Sequence, residues 1–526
     1  MMRYESTAAI MMLVIASLFV SCRTTPAPEG PEPEEPTYSI GGTVSGLDGS
    51  LTLQNNESDD LTISADGAFT FATRLRQGMV YSVTLLDHPV LQNCAVQGGW
   101  GEVGTADVTS VEVSCADKEW QSAAGLGATV IDGNPQAAMA PDGRGFVVWV
   151  ADSGQVNRVY AASLKDGVWS SPVAISPEAS GGDASRPRVA AGPDGEALAV
   201  WVQSNGSKKM IYSASFQGGS WRAAQRVSDD SLQDCADPQV VFGPAGGAVA
   251  VWQQDTGSRN AIFAAGYSGG AWQDDHQISP DSGGNAMTPQ AAFDAAGDVV
   301  AVWSQYGGSH WRVYASWRSD GVWNGAETVL SADSGDAFSP RVVSPAAGQA
   351  IAVWQQEDAG VDRIYATSYS GGSWSAAQAI SNSSGGESRN PDLATGPAGY
   401  AAAIWEQEDN AGHWRVYTAA NRGSWQAPLL LNENLSDARD SDIALDAAGN
   451  GLAVWSQDVA GGDVLIYRSR LRDGVWSAAA AHSPTGAGGN AFAPRAALSQ
   501  GGDALSVWRV NEASGTAFQV MERAFW

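Results

Sequence analysis

"SPRVVSPAAGQAIAVWQQEDAGVDRIYATSYSGGSWSAAQAIS", residues 339–381, holds the plan of most of this chain in miniature. Four runs, "PRVVS", "AIAVWQQ", "RIYATSY" and "WSAAQAIS", alternate apolar and polar residues between Gly-rich or acidic turns. Period-two alternation predicts strands, and no window sustains a helical period. Both tryptophans of the stretch recur. Trp354 belongs to the series Trp149, Trp201, Trp252, Trp303, Trp354, Trp405, Trp455 and Trp508, with successive gaps of 52, 51, 51, 51, 51, 50 and 53. Trp374 belongs to the series Trp169, Trp221, Trp272, Trp323, Trp374, Trp425, Trp476 and Trp526. A proline opens most units, at Pro135, Pro187, Pro238, Pro289, Pro340, Pro391 and Pro494, and Asp442 is read as its substitute in the remaining unit.

Four antiparallel strands repeated eight times make an all-β chain whose pattern is that of a β-propeller, with a solenoid of stacked sheets as the alternative. The last unit stops at Trp526 without a fourth strand. Ahead of the first unit stands "WQSAAGLGA" (120–128), which matches fourth strands such as "WSSPVAIS" (169–176). An N-terminal strand that completes the last blade would close the ring and protect its sheet edges. The expectation is therefore an eight-bladed propeller over 119–526.

"SLKDGVW" (163–169), "RSDGVW" (318–323) and "LRDGVW" (471–476) resemble the Asp-box of the sialidase-like superfamily. They differ in having Asp and Gly adjacent, with Trp two residues beyond, and several units read "SGGSW". The resemblance implies the propeller fold. A hydrolase of that superfamily needs three arginines on a carboxylate, a Tyr activated by Glu, and an Asp acid–base. The steps Arg158–Tyr160, Arg312–Tyr314, Arg363–Tyr365 and Arg415–Tyr417 repeat at equivalent positions, which is a structural signature, with each Arg between blades or beside a local acid. The arginine motif that opens a sialidase's first blade is absent. Hydrolysis would require a central pocket gathering at least two Arg with a Tyr and acids.

Other chemistry has little foothold. Glu357–Asp358 and Glu408–Asp409 fall in turns, and there is no nucleophile elbow, zinc spacing or P-loop. "DSGGNA", "ADSGDAF" and "TGAGGNAF" read as turns entering the first strand, with calcium loops as the alternative. No catalytic residue, cofactor or metal is expected. The useful signal is departure from the repeat. Of 21 tryptophans, sixteen fill the two series, Trp120 belongs to the closing strand and Trp100 precedes the repeats. Trp311, Trp317 and Trp414 remain. Trp317, on a third strand, is expected outward or at an edge. Trp311 and Trp414 each follow a histidine, in "SHWRVY" and "GHWRVY", at the hairpin between second and third strands. His310, Trp311, His413 and Trp414 are thus the candidate ligand-binding residues, since an exposed Trp there can stack on a sugar or anchor a protein. The alternative is a Trp folded over its own or a neighbouring hairpin.

At the N-terminus, Arg3 precedes an apolar run, Ala8 to Val20, too short to span a bilayer. It ends in "LFVSC" (18–22), which resembles the lipobox of bacterial lipoproteins, with Phe19 where that family prefers Leu. The resemblance implies a signal peptide over 1–21, lipidation of Cys22, and, because Arg23 and not Asp follows, the outer membrane. Ordinary secretion and a retained anchor are the alternatives. Residues 22–36 are a Pro- and Glu-rich stalk. Residues 37–116 read as short strands, "TYSIGGTVSG", "GSLTLQN", "DLTISADGAFTFAT", "MVYSVTLL" and "VTSVEVSC". This stretch resembles a small β-sandwich module of bacterial surface lipoproteins, which implies a spacer or adhesion-type role. Cys94 and Cys115 are the natural disulfide pair in an exported chain. Cys235 reads as a buried thiol, with an intermolecular link or a reactive group as alternatives.

The net charge is −28 and only four lysines occur, so nucleic acid is not an expected partner. The expected protein is a lipid-anchored envelope protein, at the cell surface or the periplasmic face, that binds a glycan or a protein without catalysis. A periplasmic scaffold subunit and a sialidase-like hydrolase or lyase are the alternatives.

Overall fold

A computed structural model describes residues 35–525 except 88, 90–91, 178–181, 230, 325–327, 398, 433–435, 473, 485–488 and 512–517. The signal segment, Cys22, most of the stalk and Trp526 lie outside the described residues. Every regular element described is a strand, and no described helix is long and apolar enough to cross a membrane. The chain divides into two compact units.

The smaller unit holds two four-stranded sheets. In one, Gly67–Thr70, Ile40–Ser45, Val108–Asp117 and Gln92–Gln97 lie in that order, with the two central strands parallel. In the other the order is Asp59–Ile63, Leu51–Asn55, Val80–Asp87 and Trp100–Glu102. Alternation sets the faces: Ile40, Leu51, Leu53, Val83, Val111 and Val113 are buried, while the residues between them are more exposed. Cys94 and Cys115 form a disulfide, and Cys115 is buried as its strand face predicts.

The larger unit follows the repeat. Units two to seven each form a separate antiparallel sheet of four or five strands. In unit five the strands are Ala337–Val343, Ala350–Asp358, Val361–Ser370, Ser373–Trp374 and Gln378–Ala379. The fourth expected strand is thus broken in two, both pieces pairing with the third strand. Units one and eight share one eight-stranded sheet through the long strand Ala124–Met139. Its early residues pair with Phe518–Phe525 and its later ones with Gly145–Asp152.

Three recurring interactions explain why this sequence repeat makes this sheet. The first-series tryptophans are fully buried on the second strand. In units one to seven each lies nearly parallel to a Tyr or Phe directly across on the third strand, with centroids 6.2–6.4 Å apart. In units two to seven the indole N–H donates to a Gln two residues later, as Trp201 does to Gln203 at 3.0 Å. Units one and eight have Ala151 and Val510 there, and the indoles of Trp149 and Trp508 find no acceptor among the described residues. Finally, a Ser closing the fourth strand accepts a buried third-strand amide, as Ser331 does from Val313 at 2.9 Å; Asn432 takes this part in unit six. Gln203 also donates to Pro177 O at 2.8 Å. Gln203→Ala therefore strands a buried indole and a loop carbonyl, and is expected to cost about 1–3 kcal/mol in urea denaturation.

The "DGVW" and "GGSW" turns have one backbone explanation. Asp166–Gly167, Asp320–Gly321, Gly218–Gly219 and Gly371–Gly372 all place two consecutive residues at positive φ, the requirement of a tight type I′ hairpin. Asp-Gly and Gly-Gly meet that requirement equally well, so the variation between units needs no functional reason.

One position is unexpected. In units two to eight the residue two before the channel-facing position adopts φ between 48° and 55°: Arg186, Asp237, Thr288, Ser339, Asn390, Asp440 and Ala493. None is Gly, and six of the seven precede Pro, where helical backbone is disfavoured. Each marks a register shift against the second strand. The register also corrects the alignment of unit seven. Ser441, not Asp442, takes the proline position, and Asp442 aligns with Arg341 and Asp392, the residues that follow proline.

Candidate functional site

First strands of successive units lie side by side, and the first strand of unit eight lies beside that of unit one. Together they line a cavity of about 490 Å³. The bulges aim one residue per unit into it: Gln136, Arg188, Gln239, Gln290, Arg341, Asp392, Asp442 and Arg495. The backbone here is repetitive while the chemistry is not. Three arginines and two aspartates fall among units with glutamine.

The charges are coupled. Arg341 Nε lies 3.2 Å from Asp392, and Arg495 Nε lies 3.8 Å from Asp442, whose other oxygen accepts the Ala496 N–H at 2.7 Å. Arg188 donates to the Pro187 carbonyl and has no carboxylate in salt-bridge range among the described residues. Burial, then the neighbouring Arg495 and Arg341, bring its pKa down to about 10. Burial pushes the Asp442 carboxyl up to about 7, with Arg495 opposing and Asp392 reinforcing the shift. In the folded protein Asp442 thus holds its proton well above its ordinary range near 3.8. Its contribution to stability is full below pH 4 and is lost as pH rises toward 7. Asp442→Asn, which cannot ionise, is expected to flatten this decline. Denaturation midpoints of both proteins from about pH 4 to about pH 8 test it, and parallel curves would remove Asp442 as the cause.

A second cluster reaches this cavity from the hairpin side. Glu406, its side chain 1 % exposed, accepts from Arg389 Nε at 2.8 Å, Asn390 at 3.3 Å and the Asp440 N–H at 2.7 Å. Burial raises its pKa although Arg389 pulls the other way. The Arg389 guanidinium lies over the Trp414 ring, 3.5 Å from its centroid. Trp414, Arg389 and Glu406 therefore form a continuous path from a second–third strand hairpin to the cavity wall.

His413 Nδ1 lies 3.3 Å from Asp437, which also accepts the Trp414 N–H at 3.0 Å. His310 and Trp311 repeat the geometry: His310 Nδ1 is 3.4 Å from Asp333, and the Trp311 N–H donates to Asp336 at 2.8 Å. Asp333 is held below the usual carboxylate range by hydrogen bonds from Ser309 and His310. Trp311 packs between Tyr306 of its own hairpin and Phe338 of the next unit, with centroids 5.9 and 5.8 Å away. The two His–Trp pairs have separate partners and form no common cluster. Trp317 packs on Tyr369 of the next unit at 4.6 Å, so it fills an inter-sheet contact and not an outer edge.

The Arg-x-Tyr arginines serve their own sheets and loops. Arg158 donates to Ser176 O, Arg312 to Ser331 O, Arg363 to the carbonyls of Asn382 and Gly385, and Arg415 pairs with Asp409 at 2.8 Å. The "DSGGNA" stretch is also tied locally, since its Asn285 side chain accepts the Asn260 N–H at 2.9 Å. No group of metal-ligating side chains occurs among the described residues. Cys235 is buried and unbridged, and burial pushes its thiol up to about 11.

No protein-family model and no curated protein matches the chain. Solved structures with a similar fold include the polysaccharide lyase PL25 ulvan lyase, with TM-score 0.47 and 11% identity over 69% of this chain and 98% of that one. The Hadza microbial sialidase Hz136 gives TM-score 0.36 and 12% identity over 71% and 90%. The GH93 alpha-L-arabinofuranosidase of Fusarium graminearum gives 0.36 and 14% over 56% and 95%. At this level of similarity none assigns an activity to this chain.

Proposed function

We propose that this chain is a lipid-anchored outer-membrane protein whose propeller binds a glycan or protein ligand without catalysis. In this reading Cys22 carries the lipid, 22–36 form a stalk, 37–116 a β-sandwich spacer, and 119–526 an eight-bladed propeller. Side-by-side first strands from unit one to unit eight and back support the eight-bladed ring. The two-sided pairing of Ala124–Met139 supports closure by an N-terminal strand.

The observation that carries the binding reading is the break in symmetry at the cavity. Packing alone asks for the same residue in every unit, whereas a ligand contacts particular units. Three of the lining acids are engaged by arginine, Asp392 by Arg341, Asp442 by Arg495 and Glu406 by Arg389, and the fourth, Asp440, accepts from the Ser456 hydroxyl. A tyrosine partner for a sialidase-type mechanism is not among the described lining residues.

A glycan array probed with residues 37–526, which keep Lys118, beside Trp311→Ala and Trp414→Ala, tests the site. Loss of binding in Trp414→Ala is expected, because Arg389 loses its aromatic support. Unchanged binding in both variants would remove the aromatic hairpins from the site. For the anchor, Cys22→Ser should abolish fatty-acid labelling and release the protein from membranes. Persisting label would overturn it.

A further inference from the structure

A second cavity, of about 700 Å³, lies at the other end of the unit-six strands, where Tyr400 begins the second strand that Glu408 ends beside Trp414. That volume is within the range of about 300–1,000 Å³ typical of small-molecule sites. Here too the repeat is broken. The position of Tyr400, five residues before the buried Trp405, is Arg144, Glu196, Gly247, Asp298, Gln349, Asn450 and Asp503 in the other units. An aromatic ring therefore stands where every other unit has a polar residue or Gly. Directly across the sheet is Arg422, its guanidinium 5.0 Å from the Tyr400 ring centroid.

Three features define what fits. Arg422 is exposed and makes no salt bridge among the described residues. No described lining residue is acidic, in a chain with 57 acids and 29 Lys plus Arg. Arg422 is thus the one charged side chain among the described lining residues. Tyr369 supplies partly exposed aromatic surface, and Gln349 and Ser370 supply hydrogen-bonding groups. Gly423, at φ 91°, opens onto space that no side chain fills, while a Cβ on Gly449 would meet Pro397 at 3.3 Å.

We propose that this cavity binds a pyranose bearing a carboxylate, a uronate unit, independently of the central cavity. Arg422 takes the carboxylate in a forked pair, held in place by the Tyr400 face. Tyr369 packs against the sugar's C–H surface, and Gln349 and Ser370 meet its hydroxyls. A neutral sugar lacks the charge, and a small inorganic anion lacks the ring.

Calorimetric titration of the full chain with glucuronate, galacturonate, glucose and inorganic phosphate tests this. Wild type should bind at least one uronate, with glucose and phosphate at least tenfold weaker. Arg422→Gln should weaken uronate binding at least tenfold, and Arg422→Lys, which keeps charge but not the fork, should fall between. Arg318→Gln, on the third strand of unit four, should leave binding unchanged. Because Arg422 is exposed, its variants are expected to fold, which circular dichroism checks. Absence of uronate binding, equal affinity in Arg422→Gln, or phosphate binding as tight as uronate would each overturn the assignment.

Discussion

Trp303→Ala is expected to destabilise the larger unit by about 3–5 kcal/mol, the range for emptying a large aromatic site in a packed core. Trp303 is fully buried, packs among Val249, Val251, Ile262, Val299 and Ala301, and lies 6.2 Å from Tyr314. Its indole N–H also satisfies Gln305 at 2.9 Å, so truncation leaves both a void and an orphaned amide oxygen. The neighbouring side chains come from two adjacent sheets, whose backbones are fixed by their own ladders and cannot collapse into the space. Trp303→Phe keeps most of the packing and loses the hydrogen bond, and should cost about 1–2 kcal/mol. Urea midpoints separate the two. Equal midpoints for both variants would mean that the hydrogen bond, not the ring, dominates.

Asp503→Ala is expected to cost about 3–5 kcal/mol, because it leaves a buried ammonium without its counter-charge. Lys118 Nζ lies 2.6 Å from Asp503 and donates to Gly501 O at 2.8 Å, with its side chain only 4 % exposed. This pair fastens the chain just ahead of the strand shared by units one and eight to the first hairpin of unit eight. The environment is tight: a Cβ on Gly143, at φ 79°, would stand 2.7 Å from Asp503 Oδ2. Replacing both partners, Lys118→Met with Asp503→Leu, removes the stranded charge and should recover most of the loss. Thermal melts of the two single variants and the double variant give the coupling. Additive losses would show that the charges act separately.

Much of this architecture could be read from spacing alone, because a fully buried Trp beside its own strand partner is a local requirement repeated in every unit. "WQSAAGLGA" keeps the fourth-strand pattern outside any unit, and its end lies in the strand Ala124–Met139, which pairs with Gly145–Asp152 and Phe518–Phe525. Three features escaped. Spacing misplaced the proline equivalent of unit seven by one residue, because the step from Pro391 to Ser441 is 50 residues where the preceding steps are 51 or 52. The left-handed residues before the prolines run against local preference, so tertiary pairing imposes them. The partners of Trp311 and Trp414 belong to first strands, Phe338 in the following unit and Arg389 in the same one, and distance along the chain hides them. The residue after each proline was visible throughout. What the sequence lacked was any sign that a bulge turns that residue toward a shared cavity. Tyr400 was equally visible in "GYAAAIW", where an aromatic residue replaces the usual polar residue or Gly.

The stacked Trp–Tyr pairs also make the protein its own optical gauge. Each sheet from unit one to unit seven carries a buried indole beside a parallel ring at nearly the same separation. Their emission will be blue-shifted and almost interchangeable, so intrinsic fluorescence reports the average state of all the sheets. A fault confined to one sheet will dim that signal only slightly. Loss of the whole array will shift it at once, and the shape of the unfolding curve will tell local melting from collective collapse.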